Sequence, residues 1–522
     1  MKPATLKVFT ALHTWTGLVA GMALFIAFYA GAMTVFTHEL DIWDNYLASP
    51  QEEQTYIDAQ LLVDKALIEK PAAGTETILR LELASPGHPE NVVRWFERLD
   101  NGEFTRHEFR LEDSGKLNTE PNNANLADFI YLLHYTAGLP SSFGLEIMGI
   151  ICLIYGLALV SGVIIFIPNF LKNLFIIRPG NNKKRFWLDT HNVVGIFSLP
   201  WHIMYAWSSV LLAIAIYVLA PFQLLIFDSD LIELIGPELG AVETIEPAGQ
   251  LSSTLSVTEL VAIAKQQAPG ISVNQIRYTH VGDINGTATI RAAANAGTVD
   301  TAASITINSH SGEILTVAHP AKATLGSTFY RGLLALHFAN FGGDIIRWVY
   351  FILGLAGAFL FYSGNLLWIE TRRKRRVKEQ AANTVFFARL NSGVCIGAMA
   401  GVSASFIASR CFAALANRGD LTELAYYFVF FVSIIWCFVR PVAAGTRVLL
   451  YLCAALTLGI VIADAIAIDM PLWRSAIEEK WIMFVIQTIT IIGAIVFFLA
   501  ARAVNRRALK GKPHSVWAHS GS

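Results

Sequence analysis

Leu12-His13-Thr14-Trp15-Thr16-Gly17-Leu18 opens an apolar run that carries no charged residue until after Phe36, and this stretch decides the fold class. At 1.5 Å of rise per residue, a run of that length exceeds the roughly 30 Å of a bilayer's hydrocarbon core. A secretory h-region is only about 7–15 residues long, so an uncleaved first transmembrane helix is expected. Seven further apolar runs lie near 144–169, 191–220, 343–369, 385–415, 422–439, 447–468 and 481–503. The composition agrees: 54% of the 522 residues are hydrophobic and 15% charged, where soluble domains carry about 25% charged residues. The expected fold is therefore an all-α polytopic membrane protein of about eight transmembrane helices, with the lipid bilayer as its surroundings. A net charge of -1 excludes a nucleic-acid partner, which demands a strongly basic surface.

Charge is concentrated in short loops. Lys172, Arg178, Lys183, Lys184 and Arg185 lie between the second and third runs, and Arg372-Arg373-Lys374-Arg375-Arg376 follow the fourth. Lys and Arg in short loops stay cytoplasmic, which places both termini inside and residues 38–130 and 221–330 outside. Each outer segment reads as a small α+β module. In the first, an apolar-periodic stretch (59–69) precedes alternating strands and a Ser114-Gly115 turn; in the second, a helix near 257–267 precedes strands and a Ser311-Gly312 turn. The expected organisation is a first transmembrane helix (1–37), a first module (38–130), helices two and three with a basic loop (131–220), a second module (221–330), a fourth helix (331–372) and four added helices with a tail (373–522).

The helices repeat as well. His13 and His191 open the first and third helices, while Leu133-His134 and Leu336-His337 precede the second and fourth. The pattern is an internal duplication of helix, module and helix. It sorts the histidines into an inner pair, His13 with His191, and an outer pair, His134 with His337. Two neutral imidazoles on facing helices hold a six-coordinate b-type haem without covalent attachment, so two haem b groups at two depths are expected. Gly17 and Gly195 follow the inner histidines and leave room for a flat macrocycle. Cys152, Cys395, Cys411, Cys437 and Cys453 form no Cys-x-x-Cys pair, which excludes c-type attachment. His202, eleven residues beyond His191, is open to three readings: a further ligand, a proton relay or a hydrogen-bonded core residue. Arg185, Arg331 and Arg347 flank the histidines and are candidate contacts for haem propionates, or topogenic charges. Glu423, Asp464 and Asp469 in the added helices read as interfacial.

At these residues the chain resembles the PepSY-associated transmembrane family, whose iron-regulated members include inner-membrane siderophore reductases. The resemblance covers about residues 8–372. It is carried by Leu12 to Leu18, Val35-Phe36-Thr37-His38-Glu39-Leu40-Asp41, Leu133-His134, His191-Asn192-Val193-Val194-Gly195, Leu336-His337 and Tyr362-Ser363-Gly364-Asn365-Leu366-Leu367-Trp368. It implies two b haems on His13, His191, His134 and His337, PepSY-type modules in the periplasm, and electron delivery to a ferric siderophore there. Two departures stand out: Tyr29-Ala30-Gly31 replaces the usual Thr-Gly, and residues 385–503 add four helices. No Gly-x-Gly-x-x-Gly opens a helix after a strand, so the chain has no FAD or NAD domain and needs an external electron donor, a quinol or a cytoplasmic reductase. The rival expectations are a metal- or proton-coupled transporter and a membrane-anchored PepSY binding or sensor protein.

Overall fold

The run that begins at Leu12 forms part of one continuous helix, α1 (Pro3–Thr34). Thr10, Thr14 and Thr16 inside it return their hydroxyls to the carbonyls of Leu6, Thr10 and Leu12, which pairs these polar groups within the helix where lipid offers none. The computed structural model describes residues 2–46, 54–75, 77–84, 90–98, 104–112, 114–119, 125–170, 176–178, 182–227, 245–294 and 299–518. Lys172 lies outside them.

After α1 come α2 (Thr37–Asp44), α3 (Tyr56–Glu69), α4 (Ala72–Thr75) and the strands β1 (Leu79–Glu82), β2 (Val92–Arg98), β3 (Phe104–Leu111) and β4 (Leu117–Asn118). The chain continues through α5 (Leu126–Thr136), α6 (Ser141–Phe166), α7 (Lys183–Phe197), α8 (Leu199–Leu225) and α9 (Val257–Gln267). Strands β5 (Ser272–Thr279), β6 (Thr287–Ala293), β7 (Ala302–Asn308) and β8 (Ile314–Ala318) lead to α10 (Leu325–Phe338) and α11 (Gly343–Thr371). Five helices complete the chain: α12 (Ala382–Cys411), α13 (Arg418–Val439), α14 (Val442–Ala467), α15 (Leu472–Ile477) and α16 (Trp481–Lys510). Among the described residues eight helices are long and apolar enough to cross a membrane: α1, α6, α8, α11, α12, α13, α14 and α16.

The third span differs from its sequence reading. Instead of one helix from His191, the chain breaks at Ser198 between α7 and α8. Pro200 is the cause: it has no N–H to donate and it disfavours helical backbone in the residue before it, so a helix restarts around it. His191 thus belongs to α7 and not to the apolar helix that follows.

Two compact units emerge. The first comprises Met1–Leu47, Asn123–Val218 and Asp344–Ser522; the second comprises Ala48–Asn122 and Leu219–Gly343. Residues 38–44 and 126–130, which fall in the outer segment by sequence, belong to helices α2 and α5 of the first unit. In that unit α12 is the most enclosed of the apolar helices. Gly393, Gly397 and Gly401, spaced by four, face Ile434, Ser433 and Tyr426 of α13, where an added methyl group would lie 2.8–2.9 Å from the nearest atom. Small residues on one stripe let the two backbones approach closely.

The second unit corrects the expectation of two separate modules. Its strands form one eight-stranded antiparallel sheet in the order β4-β3-β2-β1-β5-β6-β7-β8, with β1 paired to β5 through Arg80 and Arg277. Each half is a capped helix followed by four strands. Thr55 caps α3 with Asp58 reaching back, and Ser256 caps α9 with Glu259 doing the same. Both helices bury their apolar stripes in one core against the same face of the sheet, with Leu62 and Leu260 fully enclosed beside Leu79, Leu81, Ile276 and Ile290. The two Ser-Gly turns sit between the last strands of each half, with Gly115 at φ 72° and Gly312 at φ 77°, a backbone that glycine adopts without strain.

Candidate functional site

Three of the four paired histidines lie in the first unit, and all three are held by one device. His13 on α1 donates from Nδ1 to the carbonyl of Ala158 on α6 at 2.9 Å. His191 on α7 donates from Nδ1 to Leu360 of α11 at 3.1 Å, with the Ser363 hydroxyl at 3.3 Å. His134 on α5 donates to Ala27 of α1 at 2.8 Å. A carbonyl oxygen only accepts, so the proton sits on Nδ1 and the lone pair on Nε2, the state in which imidazole binds a metal. Fixing the tautomer through the other ring nitrogen is the usual second-shell arrangement of a metal-binding histidine.

A glycine stands four residues after each accepting carbonyl. Methyl groups at Gly162, Gly364 and Gly31 would lie 2.9 Å from His13, 3.2 Å from His191 and 2.5 Å from His134. In a helix the side chain at i+4 leans back over the carbonyl at i, so its absence uncovers that oxygen for a ring to reach. Sequence reading singled out Gly17 and Gly195 instead. Open space does surround Gly17, whereas Gly195 faces Leu360.

His13 and His191 meet, with ring centroids 6.2 Å apart and planes inclined by 69°. A metal midway between two imidazoles, at about 2 Å from each nitrogen, would space their centroids by about 6 Å. The donor set and this spacing fit a bis-imidazole haem iron. Among the described residues no group of three or more His, Cys, Asp or Glu could hold a metal ion. A two-imidazole centre leaves four positions for a macrocycle. The turn of α1 that receives His134 begins at Ala27, about 21 Å along the axis from His13, so the unit presents imidazoles at two depths. His337 belongs to the second unit, in the last turn of α10. Helices α5 and α10 end alike, each with a histidine in its last turn and a left-handed alanine at φ 53°, Ala137 and Ala339.

His202 is 1% exposed and lies among Phe28, Tyr155 and Phe361, with its Nδ1 bonded to the Tyr155 hydroxyl and its Nε2 buried without a hydrogen-bond partner among the described residues. The arginines suggested for propionates are each paired with a carboxylate of the chain: Arg185 with Asp189 at 3.1 Å, Arg331 with Asp300 at 2.9 Å, and Arg347 with Glu39 and Asp344.

A buried charge network escaped the sequence reading. Arg410 of α12 pairs with Asp464 of α14 at 2.9 Å, both side chains fully enclosed, and its guanidinium lies 4.0 Å from the centre of the Trp43 ring. Trp43 Nε1 and Gln487 also donate to Asp464, each at 3.1 Å. Nearby, Arg418 and Ser409 donate to Asp44, whose other oxygen accepts from the backbone N–H of Leu126 at 3.2 Å. Asp464 is therefore a core residue and not an interfacial one. The network ties the added helices to α2 and to the start of α5, the helix that carries His134.

With this geometry in place, comparison with known proteins decides the family: a model of the PepSY-associated TM region matches residues 10–371. The chain belongs to that family. The PepSY-associated match takes in α1 through α11 with both halves of the sheet, and it stops before α12. A curated relative is the uncharacterized protein PA4219 of Pseudomonas aeruginosa, 26% identical over 230 residues, which are 41% of this chain and 55% of the relative. The chain thus matches about half the length of that relative.

Proposed function

We propose that this protein is a di-haem b electron-transfer protein of a bacterial inner membrane that reduces a periplasmic acceptor, a ferric siderophore. The observation that carries the reading is the inner pair: two imidazoles on separate helices, each with Nδ1 committed to a carbonyl, spaced 6.2 Å apart. Haem bound by His13 with His191, and by His134 with His337, would supply a six-coordinate one-electron carrier at each depth. The chain's own contribution at His13, His191 and His134 is to hold each ring in one tautomer and one orientation through its carbonyl and glycine pair. Reduction suits iron release because Fe(II) binds hard oxygen ligands less tightly than Fe(III).

The basic loops support cytoplasmic termini and a periplasmic sheet unit. Two runs of capped helix and four strands, with matching ends on α5 and α10, support an internal duplication that carries two PepSY-type modules. The donor is external, a quinol or a cytoplasmic reductase. The purified protein should show a Soret band that shifts on dithionite and contain about two haems per chain. His134→Ala or His337→Ala should remove one haem and His13→Ala or His191→Ala the other. Colourless protein from haem-supplemented cells would sink the proposal in favour of a transporter or an anchored binding protein.

A further inference from the structure

One cross-strand row of the sheet places like charges side by side. On the face away from α3 and α9, Glu108, Arg94, Arg80, Arg277, Thr289 and Thr306 stand directly opposite one another on six successive strands. Directly opposed side chains are about 5 Å apart at Cβ, and like charges there destabilise the sheet. Arg94 is answered by Glu82 at 2.5 Å and Glu108 at 2.6 Å. Among the described residues Arg80 and Arg277 have no carboxylate partner, and neither does Arg291, which sits opposite Gln275 in the adjoining row. The Nε of Arg80 is shielded from solvent with no hydrogen-bond partner among the described residues. Burial, then the charges of Arg291 and Arg80, push the Arg277 guanidinium down to about 10. Beside the cluster Phe96 is 42% exposed, with the Arg80 guanidinium 5.3 Å from its ring centre.

We propose that this face, centred on Arg80, Arg277 and Arg291, binds an anionic, oxygen-rich ferric chelate. The inference rests on the electron-transfer reading for its choice of ligand, and it names the charge class of the acceptor. An anion removes the repulsion that the register imposes. Planar guanidinium groups match catecholate or carboxylate oxygens by two parallel hydrogen bonds, and Phe96 offers a flat apolar surface to an aromatic ring. A neutral chelate gains only the second of these contacts.

The test uses redox-inert gallium(III) in place of iron, so that binding is read apart from electron transfer. A hexadentate gallium(III) tris-catecholate, a trianion, and a charge-neutral gallium(III) trihydroxamate are titrated by calorimetry into the full-length protein in detergent. The trianion should bind at least about tenfold tighter than the neutral complex, and less tightly as salt is raised. The Arg80→Gln and Arg277→Gln variants, with unchanged circular dichroism, should each weaken it by about tenfold or more. The exposed Arg291→Gln gives the same reading if either variant fails to fold. Equal affinity for the two complexes, unchanged affinity in these variants, or equal competition by inorganic phosphate would overturn the proposal. Loss of the haem bands with retained trianion binding would retire the electron-transfer reading alone.

Discussion

At the scale of single residues, the histidine device makes the sharpest demands. A methyl group at Gly31 would lie 2.5 Å from the Nδ1 of His134, and one at Gly162 2.9 Å from His13. Gly31→Ala is expected to displace the His134 ring and deplete one of two haems, and Gly162→Leu to deplete the other. Difference spectra against the wild-type protein separate the two losses, and unchanged haem content in both variants would contradict the device. Asp464 makes a different kind of demand. Its replacement by asparagine takes from Arg410, enclosed beside Trp43, the carboxylate it is paired with, which should cost about 3–5 kcal/mol. A thermal unfolding midpoint in detergent equal to that of the wild type would show the pair to be dispensable. The histidines were legible in sequence because they recur in both halves. The glycines that seat them were not, since each lies on a different helix from the ring it admits.

At the scale of elements, α3 and α9 depend on their caps. Thr55 donates to Asp58 from its N–H and its hydroxyl, each at 2.7 Å, and the N–H bond foremost holds that carboxyl below the usual carboxylate range. The Ser256 hydroxyl, then its N–H, does the same for Glu259. A carboxyl with a depressed pKa stabilises the fold above its unfolded value, about 4, and the benefit is lost as pH falls through the lower folded value. Hydrogen exchange at the first turns of α3 and α9 should therefore quicken, after correction for intrinsic rates, as pH drops from about 5 to about 3. Asp58→Ala should abolish the effect in α3, whereas Thr55→Ala, which keeps the N–H bond and loses the hydroxyl, should only lessen it, at a cost of about 1 kcal/mol. Sequence periodicity located both helices and their Ser-Gly turns. It missed the break at Ser198, because an apolar pattern continues through Pro200 while the backbone hydrogen bonding does not.

At the scale of the whole molecule, the added helices brace the histidine-bearing helices of the first unit. Leu126, Phe129, Ile130 and Leu133 of α5 are buried with Val402, Phe406, Tyr426 and Ile460 of α12, α13 and α14, and Asp44 is paired with Arg418. A chain ending at Arg372 would leave Asp44 without that partner and Leu126, Phe129, Ile130 and Leu133 without the residues of α12, α13 and α14 in their cluster. It is expected to retain the His13–His191 haem and lose the one that needs His134; retention of both would show that the added helices serve something other than support. The sequence by itself determined the eight spans and the repeated histidines, because hydropathy and recurrence are properties of a linear string. It also supplied the two patterns of helix and strands. Only the tertiary structure decided that the two patterns share one sheet through β1 and β5, that Asp464 is enclosed by an arginine 54 residues before it, and that His13 and His191 face each other. Those are pairings between distant segments. Backbone hydrogen bonds, ion pairs and ring contacts form between groups that no local pattern of residues names as partners.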